Sequence, residues 1–191
     1  MPAAERQRLE GLAFHELAEM AQDPQSGRSF ARRAMKLLND LKKRGMSDPD
    51  IDSALSRMLL PSDPMRAREL AADVLDAPNA EPDRRATALY IIGSTAYEAG
   101  KPDEARDHLR ELTGIRHHGQ VWHMLSVCEL ANGDIEAARE AAETAVRLSP
   151  QSVEALMQLA QVYEQAGDRK RAFDVAKRAR QMQAAQSALG R

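Results

Sequence analysis

A few groups of residues in this chain have the types and spacing that chemistry requires. Asp48-Pro49-Asp50-Ile51-Asp52 sets carboxylates at alternate positions, as a calcium-binding loop does at its start. Such a loop also needs a Gly at its sixth position for the sharp turn and a Glu at its twelfth as a two-oxygen ligand. Those positions here are Ser53 and Leu59, so the stretch reads instead as a helix start capped by Ser47 or Asp48. His108, His117, His118 and His123 fall close together and suit a transition metal by type. No ligand spacing on a single helix unites them, and no second cysteine joins Cys128, so no metal ligand is assigned. Cys128, beside Val127 and Leu130, reads as a small buried hydrophobe.

The basic run Arg169-Lys170-Arg171, continued by Lys177, Arg178 and Arg180, has the charge for nucleic acid. It is interrupted by Asp168 and Asp174 and has no aromatic ladder for bases to stack on, so it reads as a solvated helix face. Lys42-Lys43-Arg44 follows a helix, where cations complement the negative end of the dipole. No nucleophile and base stand at a usable spacing. Each glycine of the repeated pattern closes a helix rather than opening one after a strand, so there is no phosphate loop. The reading is a chain with no catalytic residues and no cofactor, and not an enzyme.

The elements that would carry any function are helices. The chain has 191 residues, 43% hydrophobic but only 4% aromatic, and the apolar share leans on Ala, Leu and Met, which suits close helix packing better than sheets. Its 27 basic and 29 acidic residues leave a net charge of −2, so no strong field draws in nucleic acid or an anionic membrane. No apolar run approaches the roughly 18 residues that span a bilayer, and the first residues lack the apolar middle of a secretory signal. A cytoplasmic location is the expectation. The same stretch within a longer exported or anchored protein would read alike.

Gly100, Gly133 and Gly167 recur at intervals of 33 and 34 residues. Around them Ala-Gly-Lys-Pro-Asp-Glu-Ala-Arg, Asn-Gly-Asp-Ile-Glu-Ala-Ala-Arg and Ala-Gly-Asp-Arg-Lys-Arg-Ala-Phe are one unit written three times. In the last unit Leu156, Leu159, Ala160 and Tyr163 keep helical spacing, Gly167-Asp168 turns the chain, and Ala172, Ala176 and Ala179 line the returning helix. Short side chains there allow helix axes to approach to roughly 8–10 Å.

This pattern resembles the tetratricopeptide repeat. Trp122, Leu125, Ala138, Ala145 and Pro150 fill it in one unit, Leu159, Tyr163, Gly167, Ala172 and Ala179 in the next, and Leu89, Ile92, Gly93, Gly100 and Ala105 in the unit before. That earliest unit departs in having Ala96 where Tyr is usual, with Tyr97 one place later. Three repeats are placed at 86–118, 119–152 and 153–186, with a mostly polar capping helix at the end, making 84–191 one region. Residues 1–83 read as a helical region of degenerate repeats: one at 48–80, and before it helices at 6–22 and 28–43, separated by Asp23-Pro24-Gln25-Ser26-Gly27, which make a fifth, divergent repeat or else a non-repeat helical cap. The fold class is all-α, and the resemblance implies an α-solenoid of about ten helices in a right-handed superhelix.

The resemblance also implies a concave groove lined by the first helix of each pair. Its inward positions are Thr87, Tyr90, Ile91 and Ser94, with Tyr97 a turn further; then Gln120, His123, Met124 and Val127; then Glu154, Met157, Gln158 and Gln161. None is the Lys, Asn or Arg with which relatives grip a terminal carboxylate. The implied function is a scaffold or adaptor that binds a partly apolar peptide or helix of a protein partner, with Met124 and Met157 either adaptable contacts or core. A small secretion or assembly chaperone and a regulatory arm of an enzyme are the alternatives. Self-association through the first or last helix pair stays open, while nucleic acid and membrane insertion are not expected.

Overall fold

The structure, a computed structural model, describes residues 2–46 and 48–189. Ser47, one of the two caps expected before the third helix, lies outside them. Every regular element among the described residues is a helix. The order is α1 Ala3–Met20, α2 Pro24–Lys43, α3 Pro49–Leu59, α4 Pro64–Asp76, α5 Pro82–Glu98, α6 Pro102–Thr113, α7 Gly119–Ala131, α8 Ile135–Leu148, α9 Val153–Gln165 and α10 Arg169–Leu189. Consecutive helices form antiparallel pairs.

Helix starts follow local chemistry. Asp48, Asp63, Asp134 and Asp168 each accept a hydrogen bond from an amide two or three residues on, at 2.8–3.0 Å, satisfying one of the four orphan donors of a first turn. Pro49, Pro64 and Pro102 stand at the first helical position, where their missing N–H costs nothing. The same chemistry corrects one boundary. Asp23 accepts from the amides of Gln25 and Ser26, at 3.2 and 2.8 Å, so Pro24 to Gly27 form the first turn of α2 instead of a separating loop. At the repeat turns Gly133 and Gly167 have φ +80°, a left-handed conformation that a Cβ disfavours.

The chain divides into two compact units, Met1–Ile92 and Gly93–Arg191, with the division inside α5. In the first unit, Leu38 and Leu41 of α2 meet Ile51, Ala54 and Leu55 of α3 and Leu70 of α4, while Ala67, Ala71 and Val74 of α4 pack on Ala88, Ile91 and Ile92 of α5. Phe14 stacks on Phe30 at 6.0 Å between ring centres, with the Arg33 guanidinium 4.4 Å over Phe14, joining α1 to α2.

The alternating carboxylates have a structural use there. Arg8 of α1 reaches Asp48 at 2.8 Å and Asp50 at 2.7 Å, Arg84 of α5 reaches Asp50 at 2.8 Å, and Lys42 of α2 reaches the buried Asp52 at 2.6 Å. Each acid is neutralised by a cation from another helix.

In the second unit the small residues sit at helix contacts. The buried Ser126 hydroxyl of α7 donates to the Ala138 carbonyl of α8 at 2.9 Å, a contact that only a close helix approach permits. Ala138 and Ala142 of α8 pack with Leu159, Val162 and Tyr163 of α9. Glu129, 1% exposed, receives a two-pronged hydrogen bond from Arg110 of α6, at 2.6 and 2.9 Å. It stands 34 residues before Tyr163, at the position where the repeat pattern has Tyr.

Candidate functional site

The second unit carries an open groove of about 1030 Å³. Tyr97 of α5 stands on its wall, His123 and Val127 come from α7, and α9 supplies Glu154, Met157, Gln158 and Gln161. The α10 side adds Arg169, Ala172, Phe173, Ala176 and Arg180. These residues converge because α7 and α9 are the first helices of successive pairs. Residues at a spacing of three and four then line one side of each helix. An adjoining hollow of about 410 Å³ shares Val127, Gln158 and Gln161 and extends toward the turn at Gly133 and Ile135.

The surface is amphipathic. Met157 is 51% exposed and Phe173 63% exposed, a large apolar display for residues facing one hollow. Polar groups punctuate it. Gln158 is buried and donates to Ser126 Oγ at 3.2 Å, which fixes its carboxamide in the wall. Burial pushes the His123 imidazole below its ordinary range, with Glu154 pulling it partly back, and its Nδ1 is buried without a hydrogen-bond partner among the described residues. Glu154 is held below the usual carboxylate range by its own backbone N–H and by the Ser152 hydroxyl, which donates to it at 3.0 Å.

Of the residues expected to line a groove, Tyr97, His123, Val127, Glu154, Met157, Gln158 and Gln161 meet in this one. Gln120 is exposed near the start of α7 but is not on the groove wall. Ser94 and Met124 are buried, so Met124 serves as packing in the second unit. Thr87 is also buried, and in the first unit Ile91 is part of the core against Ala67, Ala71 and Val74, with Tyr90 half-buried against it, because that turn of α5 is occupied by α4.

The α10 residues lie outside the groove positions that the repeat pattern assigns, which fall only on first helices. The signal was present in Phe173, a large apolar residue between Ala172 and the acid Asp174 on a helix otherwise rich in charge.

The remaining candidates for chemistry are dispersed or shut away. No group of three or more His, Cys, Asp or Glu residues able to hold a metal exists among the described residues. Cys128 is buried, and burial together with the neighbouring Glu129 pushes its thiol up to about 11, far from a reactive thiolate at neutral pH. No helix among the described residues is long and apolar enough to cross a membrane.

The fold is similar to solved structures of MamA. MamA MSR-1 superposes with a TM-score of 0.72 at 19% identity, over 96% of this chain and 98% of that one. MamA AMB-1 gives 0.74 at 21% identity over 95% and 92%, and a further MamA crystal structure 0.69 at 16% over 98% of both chains. At these identities the likeness is one of fold. No curated protein matches the sequence. The family model for the tetratricopeptide repeat matches residues 62–116 and 129–188, which cover more than half of the sequence and carry the glycine turns and alanine seams described above, and the chain belongs to the tetratricopeptide repeat family.

Proposed function

We propose that this chain is a protein-binding module whose second unit holds a partly apolar peptide or helix of a partner protein, and that it is not itself a catalyst. One observation carries the reading: Tyr97, Met157 and Phe173 turn apolar surface into a single groove while Leu109, Leu112, Leu125 and Leu156 of the same unit are packed away in its interior. The thioether of Met157 adapts to varied apolar partners at little cost in rotamer strain. Gln158, Gln161 and Glu154 supply the oriented polar contacts that set register.

Selection of random peptides displayed on phage against the protein tests this reading. The expected outcome is enrichment of sequences with two or more apolar anchors. Tyr97→Ala combined with Met157→Ala should weaken the selected peptides by about tenfold or more, since truncating two anchors removes at least about 1.4 kcal/mol. Peptides that bind the double variant as tightly as the parent would overturn the groove as the binding site.

A further inference from the structure

We propose that the open face formed by α9 and α10 receives an amphipathic helix of a partner protein with one acidic edge, seated as the first helix of another repeat would be. This rests on the protein-binding reading and specifies the chemistry of the ligand. The argument comes from the chain's internal repetition. One repeat earlier, Ala138 and Ala142 of α8 are fully buried, packed with Leu159, Val162 and Tyr163 of the next helix, α9. The residues 34 positions later, Ala172 and Ala176 of α10, are only partly covered and line the groove. Equivalent positions carry the same small residue, so the open face keeps the shape that admits a helix.

The ends of the face differ. The covered copy is bounded by Ile135 and Val146, and the open copy has Arg169 and Arg180 at those positions. Neither arginine makes a side-chain ion pair among the described residues, and the same holds for Lys170 and Lys177. With the charges of Arg171 and Arg178, α10 carries six cations against one acid, Asp174, in a chain whose net charge is −2. A helix that is merely solvated needs no exposed aromatic. Yet Phe173, 63% exposed, sits between the two arginines, which lie about 16 Å apart along the helix. An apolar centre with a cation near each end calls for a helix with an apolar stripe and carboxylates about three turns apart. Glu154 and Glu164 line the α9 side of the groove and repel acids there, so the acidic residues belong along the edge facing α10 only.

The test uses the full chain and two synthetic stapled helices with identical Ala/Leu stripes. One has Glu at two positions eleven residues apart on a single edge, the other Lys. By fluorescence anisotropy the Glu helix should bind about tenfold or more tighter than the Lys helix, the difference shrinking as salt shortens the Debye length, and Arg169→Glu with Arg180→Glu should invert the preference. Circular dichroism and an unchanged unfolding midpoint check the fold, and Arg169→Gln with Arg180→Gln repeats the test by loss of charge instead of reversal. Equal affinity of the two helices, absence of binding by both, or indifference to both arginine pairs would overturn the proposal. Phage peptides sensitive to Met157→Ala, found together with no discrimination between the helices, would leave the groove standing and remove the acidic-helix ligand. Absence of any Met157-dependent peptide would remove the groove reading itself.

Discussion

Replacing Arg110 by Ala would strand a buried charge, and the structure sets the size of the loss. Glu129 has a side chain 2% exposed, and its two oxygens each accept from Arg110, at 2.6 and 2.9 Å. Removing one partner of a fully buried pair costs about 3–5 kcal/mol, because the remaining charge keeps its desolvation penalty; here the more distant Arg106, which also attracts Glu129, offsets only part of it. The Arg110 side chain is 49% exposed, so water screens part of the attraction and the expected loss falls to about 2–3 kcal/mol. Converting both residues to apolar ones, Arg110→Met with Glu129→Leu, should bring stability back to within about 1 kcal/mol of the parent, since the desolvation penalty disappears along with the pair. The repeat itself supports that outcome: the position equivalent to Glu129 holds Tyr163, buried and mostly apolar. Trp122, the single tryptophan, lies on α7 two turns before Glu129, so its emission during guanidinium unfolding reports this unit directly. Arg110→Ala within about 0.5 kcal/mol of the parent, or a double variant as unstable as the single, would refute the account of Glu129 as a paired buried charge.

Two further outcomes follow from the first unit and the repeat turns. For Asp48, burial is the largest influence and acts upward, but the Arg8 guanidinium and the Asp50 amide outweigh it and hold the carboxyl below its usual range. The lowered native value means that Asp48 stabilises the fold above the unfolded carboxyl's pKa of about 3.9 and that this contribution is lost as pH falls through the native value. Arg8→Ala should therefore raise the Asp48 midpoint in an NMR titration and flatten the acid limb of the stability curve, and an unchanged midpoint would contradict the role given to Arg8. Gly133→Ala should cost about 1–2 kcal/mol by denaturant unfolding, because a Cβ there meets no atom within 4 Å and only the φ of +80° opposes it; Gly133→Asn, which tolerates that conformation, should cost less.

The repeats were legible because their signals are local. The glycine turns and the Asp caps at 134 and 168 act within a few residues of where they stand, and each sits as its type requires, while the repeated alanines at 138, 142, 172 and 176 mark positions by their spacing alone. The start of α2 is not legible in the sequence because Pro24 and Gly27 are also turn residues, and only the Asp23 hydrogen bonds distinguish a first helical turn from a loop. Glu129 broke the pattern, since nothing near it in sequence reveals the guanidinium arriving from α6. The groove was legible along α7 and α9, where spacing assigns a face, while Ser94 and Met124 shared that spacing and are buried.

Order along the chain thus follows from residue chemistry: where each helix of the repeats turns and which positions must be small. Exposure does not. Ala142 and Ala176 occupy equivalent positions, yet the first is covered by α9 and the second borders an open groove, and Asp48 and Asp50, spaced like calcium ligands, are claimed by an arginine about 40 residues away. Burial and charge pairing are properties of neighbours brought in by other helices, so they are settled only when the helices pack.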